Sequence, residues 1–262
     1  MLARQRQSVI VQELRRAGSA KVSDLTQALG VSDMTIRRDL DVLARAGLIE
    51  KVHGGAVLPG APSSHEPGFD AKSAREQEAK KAIAQIAATL VVPGTAVGLS
   101  AGTTTFALAR LLRDVAGLTI VTNSMPVAGL FDQPSLGAPS GAGPSVVLTG
   151  GTRTPSDALV GPVADLAIRS LHVDELFLGC HGFDTVAGLS TPNLAESETN
   201  RAFIQAARRV TVIADHTKWG VVGLSSFAAL EDADTLITDA GLPAEARALL
   251  AERVGKLIVA GE

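Results

Sequence analysis

The sequence predicts an α/β domain with a mostly parallel sheet, preceded by a small winged helix-turn-helix. Three observations lead there. From about Lys72 onward, helical patterns alternate with short apolar runs, the pattern of strands buried on both faces between crossover helices. Ahead of them, three short helix-period stretches are followed by an extended segment with a Gly-Gly turn. Between the two lies PGAPSSHEPGF (59–69), with the Pro, Gly and Ser content of a linker. The expected units are therefore 1–58, a linker over 59–71, and 72–262.

The first helix is expected over Gln5–Ala17, with Val9, Ile10 and Leu14 at core spacing and Gly18 as its stop. Ser23 caps a second, with Leu25, Ala28 and Leu29 inward until Gly30. Ser32 caps a third, where Ile36, Leu40 and Leu43 form the apolar stripe. Arg37 and Arg38 lie off that stripe, and Thr35 falls in the first turn. After Gly47 the period becomes extended in LIEKVHGGAVL, and Gly54-Gly55 suits a tight hairpin turn.

In the second unit the strand candidates are TAVGLS (95–100), LTIVT (118–122), SVVLT (145–149), VDELFLG (173–179), RVTVIA (209–214), DTLIT (234–238) and KLIVA (256–260). Helices fill 72–91, 103–113, 161–170, 195–207 and 243–252, and LGAPSGAGPS (136–145) is a loop.

Composition narrows the function. The 262 residues are 46% hydrophobic, ample for a core, with a formal charge of −3. That small charge hides an asymmetry: residues 1–60 hold nine Lys/Arg against six Asp/Glu, and the remainder 15 against 21. A basic module on an acidic body is the split of a DNA reader joined to something else. The single cysteine, Cys180, permits no intrachain disulfide and suits a small buried hydrophobe. The N-terminus lacks the apolar core of a signal peptide. The uncharged stretch from Ala82 to Ala109 is broken by Pro93-Gly94, Gly98 and Gly102, which excludes a spanning helix. A cytoplasmic protein is expected.

Taken alone, Arg37 and Arg38 fit a solvated helix face more readily than a base or phosphate contact. The preceding helix, turn and cap tip the choice, because they present the third helix as a recognition helix enters a major groove. Ser32, Thr35 and the first-turn N–H groups then suit phosphates, and the arginines fork onto guanine or phosphate oxygens. Lys51 and His53, on one face of the wing's first strand, suit the neighbouring backbone.

With these residues in view, 1–58 resembles the N-terminal domain of the DeoR family of bacterial transcriptional regulators, over VSDLTQALGVSDMTIRRDLDVLARAGLIEKVHGGAV. LSAGTTTFALARLL, TNS, LTGGT, LVGP, GCHGFD, GLSTPNLAE and ADHTKWG are similar, in order, to landmarks of that family's C-terminal sensor domain. The resemblance implies a regulator, usually a repressor, answering to a phosphorylated sugar or related metabolite.

The residues point the same way. Ser100, Gly102, Thr103, Thr104 and Thr105 follow a strand and open a helix, a place where small residues, hydroxyls and N–H groups suit a phosphate. A Thr-rich turn with no ligand fits the same letters. Asn123-Ser124 and Gly151-Thr152-Arg153 repeat the arrangement after two further strands, and Lys218 follows a fourth as the phosphate's main point charge. The sensor domain is also similar to ribose-5-phosphate isomerases, with Glu196 in the place of their catalytic glutamate. Asp184 and Glu196 then serve as acceptors for sugar hydroxyls. His181 stands where those enzymes carry an aspartate, and GLSTPN lacks their lysine. Ser100 and Asn200 also depart from the family's frequent aspartate and lysine.

The sequence thus predicts a DNA-binding regulator of sugar or related carbon metabolism. Its partners are double-stranded operator DNA and a phosphorylated sugar, and it forms a homodimer or higher homo-oligomer. It has no catalytic residue, cofactor or metal. The alternative is a sugar-phosphate isomerase-like enzyme with a DNA-binding appendage.

Overall fold

A computed structural model describes residues 2–17, 19–46, 48–52, 55–57, 66, 68–132 and 143–261. The chain divides into two compact units, Met1–Pro67 and Gly68–Glu262.

The first unit runs α1 (Ala3–Ala17), β1 (Ser19–Lys21), α2 (Val22–Leu29), α3 (Asp33–Arg45), β2 (Glu50–Val52) and β3 (Gly55–Val57). Ile10 and Leu14 of α1, Val22 and Leu25 of α2, and Ile36, Leu40 and Leu43 of α3 close one apolar core with Ile49 and Ala56. Two inward assignments change. Val9 is exposed, since the stripe that packs is centred on Ile10 and Leu14. Ala28 is also exposed, because α2 begins at Val22 and turns residues 22, 25 and 29 inward. Gly30 ends α2 at φ +62°, where a Cβ would be strained. The wing gains a third strand, in the order β1-β3-β2, that three residues are too few to reveal by alternation. Opposite pairing of Val52 with Gly55 leaves a two-residue connection, which lies outside the described residues.

A polar contact fixes α3 against α1. Asp39 is 4% exposed; it accepts from Arg6 Nε and, at 2.9 Å, from Gln7 Nε2.

The second unit contains α4 (Phe69–Ser73), α5 (Gln77–Ala88), β4 (Ala96–Leu99), α6 (Thr103–Leu112), β5 (Thr119–Thr122), α7 (Met125–Gly129), β6 (Ser145–Leu148), β7 (Thr152–Arg153), β8 (Leu159–Val160) and α8 (Pro162–Arg169). It continues with β9 (Glu175–Leu178), β10 (Gly182–Asp184), β11 (Gly188–Thr191), α9 (Leu194–Ala206), β12 (Val210–Ile213), β13 (Ser225–Ala228), β14 (Thr235–Asp239), α10 (Ala244–Ala251) and β15 (Leu257–Ala260). All seven apolar runs named as strands enter one sheet, ordered β15-β14-β12-β9-β4-β5-β6. Every pairing within it is parallel.

Neighbouring residues of these strands enter opposite cores, which is why the runs are continuously apolar. Val97, Leu99, Phe177, Ile213 and Ile237 pack with α5 and α6. Leu176, Leu178, Val212 and Leu236 pack with Ala202 and Phe203 of α9 and Leu250 of α10. The helix expected over 72–91 is interrupted: α4 and α5 meet at a corner where Glu76 is left-handed, φ 45° and ψ 45°. The helix α4 also occupies the end of the stretch assigned to the linker, held by the edge-on contact of Phe69 with Phe106, centroids 5.5 Å apart. The rest of the linker, apart from residues 66 and 68, and most of the loop expected over 136–145 lie outside the described residues.

The chain lays down β4, β5 and β6 to one side and then β9, β12, β14 and β15 to the other, so the strand order reverses between β4 and β9. A crevice opens at the carboxyl ends of strands at such a reversal. In the first unit, Asp39→Ala should take a carboxylate partner from both Arg6 and Gln7 and cost about 3 kcal/mol, the low end for breaking a buried pair. Urea unfolding followed by amide exchange in residues 3–57 measures it. A loss below about 1 kcal/mol would rank the contact with surface bridges.

Candidate functional site

The site is built at the carboxyl edge of the sheet, starting from the reversal. Leu99 leads into Ser100, which is buried; its N–H donates to Phe177 O at 3.1 Å and its Oγ accepts from Gly179 N at 2.9 Å. Ser100 therefore ties the ends of β4 and β9 together. Gly102 then opens α6 with no side-chain cap. Thr105 Oγ1 donates to Gly102 O at 2.8 Å, while Thr103 is half-buried. The uncapped first turn offers N–H groups and a positive dipole end toward the crevice.

Asn123 and Ser124 form the wall. Asn123 Oδ1 accepts from Ala101 N at 2.9 Å and its Nδ2 donates to Leu159 O at 3.1 Å, clamping the loops after β4 and β5 to the start of β8. Ser124 Oγ caps α7 by accepting from Val127 N at 3.3 Å. Gly151 sits at φ +119°, where a Cβ would meet Val160 O at 2.6 Å, so only glycine lets β7 approach β8. Thr152 and Arg153 are exposed, and Arg153 Nε bonds Asp157 Oδ1 at 2.6 Å.

Beyond β12, Asp215 is 1% exposed and its Oδ1 accepts from Thr217 N at 3.1 Å and from the Thr217 hydroxyl. This cap folds the short 3₁₀ turn His216–Lys218. Lys218 is half-buried, and its ammonium makes no hydrogen bond or ion pair among the described residues. Two neighbours register its field. It opposes the charge of Lys80 and favours the thiolate of Cys180. Burial nonetheless pushes the half-buried Cys180 thiol up to about 12, so it stays neutral.

Two predicted residues diverge. Glu196 stands in the first turn of α9, where Asn193 Oδ1 accepts from its N–H at 3.2 Å, and the returning strand β11 carries that turn to the same edge. Asp184 is not brought to this edge. It sits at the tip of the β10–β11 hairpin, where its Oδ1 accepts from Val186 N at 2.7 Å and Ala187 N at 3.2 Å. The adjacent Thr185 O receives Arg253 Nη1, which precedes β15 and so marks the amino edge of the sheet. Its acidic side chain serves a turn, as Asp commonly does.

Other residues reach the site without having been named for it. Lys80 lies on the inward face of α5 with Ile83, Ala84 and Ala87, and its Nζ stands 3.9 Å from Asp215 Oδ2. A charge on the apolar stripe of a helix is the signal that would have found it. His216 Nδ1 meets Asp239 Oδ2 at 2.7 Å, and His216 N donates to Asp239 Oδ1 at 2.8 Å. That pairing comes from the ends of β12 and β14, which only the sheet register makes neighbours.

On the first unit, Ser32 caps α3, accepting from Thr35 N at 3.3 Å, with the two hydroxyls 2.9 Å apart. Arg37 and Arg38 are exposed, and Arg37 pairs with Asp33 one turn earlier, which raises its pKa further. The Lys51 side chain and all of His53 lie outside the described residues.

The His216–Asp239 pair has a definite pH signature. The hydrogen bond from Asp239 outweighs burial and raises His216 above its ordinary 6.5. Burial pushes the Asp239 carboxyl up, but bonds from the His216 ring and N–H and from Gly241 N–H bring it below 3.8. By linkage, the raised histidine stabilises fully below 6.5 and loses that contribution as pH climbs through its folded pKa. The depressed aspartate stabilises above 3.8 and loses its share as pH falls through its folded pKa. The pair should therefore contribute most in the window between those two values. An NMR titration should place the His216 midpoint above 6.5 in the wild type and lower it in Asp239→Asn; equal midpoints would dissolve the pair.

Comparison with known proteins agrees with both units. Residues 6–61 match the model of the DeoR-like helix-turn-helix domain, and 75–240 that of the DeoR C-terminal sensor domain. The HTH-type transcriptional regulator GlpR of Haloferax volcanii is 36% identical across 100% of this chain and 99% of its own. The glycerol-3-phosphate regulon repressor of Escherichia coli is 30% identical, covering 95% of each chain. Transcriptional repressor AccR of Agrobacterium fabrum is 34% identical over 90% of this chain and 89% of its own. Among solved structures, ribose 5-phosphate isomerase A of Methanocaldococcus jannaschii aligns with a TM-score of 0.39 and 17% identity, over 55% of this chain and 54% of that one. With both domains matched in order and full-length relatives all named as regulators, the chain belongs to the DeoR family of transcriptional regulators.

Proposed function

We propose that this regulator is a repressor of sugar or related carbon metabolism, released or reset by a phosphorylated sugar held at the carboxyl edge of its sheet. The observation that carries this reading is the half-buried, unpartnered Lys218 ammonium at an edge that also holds the uncapped N-terminus of α6. A cation without a counter-ion beside free N–H groups is a site for an anion. Ser100, Asn123 and Ser124 tie the wall of this edge together and line it for the same ligand. Gly102 to Thr105 and Lys218 take the phosphate, while Thr152, Arg153 and Glu196 stand at strand ends and a helix start suited to the sugar. The name of the Escherichia coli relative, which refers to a phosphorylated polyol, fits an effector of this class.

At the DNA, Ser32 and Thr35 hold phosphate, Arg37 and Arg38 read the major groove, and Lys51 and His53 of the wing follow the backbone. One helix-turn-helix reads one half-site, so a homodimer or higher oligomer is the working form.

Arg37→Ala or Arg38→Ala should weaken operator binding by about 1–3 kcal/mol if the residue reads a base. An arginine holding only phosphate should weaken all sequences alike and flatten the salt dependence. Titrations on operator and scrambled DNA at two salt concentrations distinguish these, and unchanged affinity in both variants would return the arginines to a solvated face.

Lys218→Ala should weaken sugar-phosphate binding by about 1.5–3 kcal/mol, the range of a charge-assisted bond, with effector-free operator affinity retained. Calorimetry across a panel of sugar phosphates, each beside its free sugar, measures this. A panel that neither binds nor shifts operator affinity would sink the effector reading, and turnover of any panel member would reopen the enzyme.

A further inference from the structure

We propose that Lys80 is a positioning residue that couples the Lys218 turn to the α4–α5 corner, where the chain enters the second unit. The inference rests on the effector reading above and assigns it a route. The Lys80 ammonium is buried and has three partners. It donates to Lys72 O at 3.1 Å and to Arg75 O, and stands 3.9 Å from Asp215 Oδ2. The two charged side chains are 7% and 1% exposed, so water does not screen the pair.

Each end of this contact controls a bend in the chain. Asp215 divides its oxygens: Oδ1 holds the Thr217 N–H and hydroxyl and so shapes the turn bearing Lys218, while Oδ2 faces Lys80. Lys72 and Arg75 lie four residues and one residue before Glu76, whose left-handed backbone at φ 45° is costly for a residue with a Cβ. Such a conformation persists only where its surroundings over-determine it, and the Lys80 ammonium bonds the carbonyls just ahead of it. The second unit begins at Gly68 and α4 at Phe69, so this corner lies one short helix into that unit.

The electrostatics give the coupling a direction. The Lys218 charge opposes that of Lys80, while the Asp215 carboxylate, 3.9 Å from the Lys80 ammonium, favours it. An anion seated on Lys218 cancels that repulsion, leaving Asp215 to hold Lys80 more tightly. The corner is then firmer with the anion bound than without it, which is the differential interaction an effector needs.

The test uses the full-length chain and amide exchange, first without ligand. In Lys80→Met, amides of residues 72–76 and 215–218 should exchange about tenfold faster together, with those of β4 and β9 unchanged. Asp215→Asn, which keeps an acceptor for the Thr217 turn, should loosen 72–76 from the other end. It also decides the matter if Lys80→Met does not fold. Ribose 5-phosphate and inorganic phosphate are then the probes. In the wild type the binding probe should slow exchange at 72–76. In Lys80→Met it should still bind, within about threefold, and leave that segment unmoved. Wild-type exchange at 72–76 in both variants, or uniform loosening across the sheet, would overturn the coupling. If neither probe binds the wild type, the effector reading fails for these ligands, while the ligand-free comparison still decides the coupling.

Discussion

The reversal of strand order between β4 and β9 is the constraint on which the second unit depends. Neighbouring strands leave this line in opposite directions along the sheet, so no crossover helix covers the gap at their carboxyl ends. Backbone groups there would face an unfilled crevice, and buried polar groups need partners. Ser100 answers by joining β4 to β9, and Asn123 by joining the ends of β4 and β5 to the start of β8. These side chains make the edge rigid. That rigidity fixes the uncapped first turn of α6, whose N–H groups open at this edge.

Charge is handled differently on the two sides of that edge. At the β12–β14 side, Asp215, Lys80, His216 and Asp239 are paired within the protein, as buried charges must be. Lys218 alone in this group lacks such a partner among the described residues. The framework is thereby neutralised pair by pair, while Lys218 keeps an uncompensated charge among the described residues. Cys180 belongs to the framework: its raised pKa keeps it a neutral thiol beside the cation.

The DNA-reading unit solves a similar problem on a smaller scale. Among the described residues its core rests on nine buried apolar side chains, with little area to spare. The Arg6–Asp39–Gln7 contact adds orientation, because it fixes the turn of α3 that follows Arg37 and Arg38. Exposure of both arginines follows from the stripe of Ile36, Leu40 and Leu43 on the opposite side.

The sequence by itself determined what depends on local pattern. The seven sheet strands are readable because burial on both faces demands continuous apolar runs, and α3 because a four-three spacing admits one inward face. The glycines and hydroxyls at strand ends marked the carboxyl edge for the same reason. Only the tertiary structure decided what depends on register and return. Lys80 shared the apolar stripe of α5, but its partner Asp215 came only with β12, and His216 met Asp239 only through pairing of β12 with β14. Asp184 looked like a ligand residue until the β10–β11 hairpin carried it to the far edge. Spacing along the chain encodes which face a side chain takes, but the meeting of two distant side chains is set by which strands pair, and that is a property of the whole sheet.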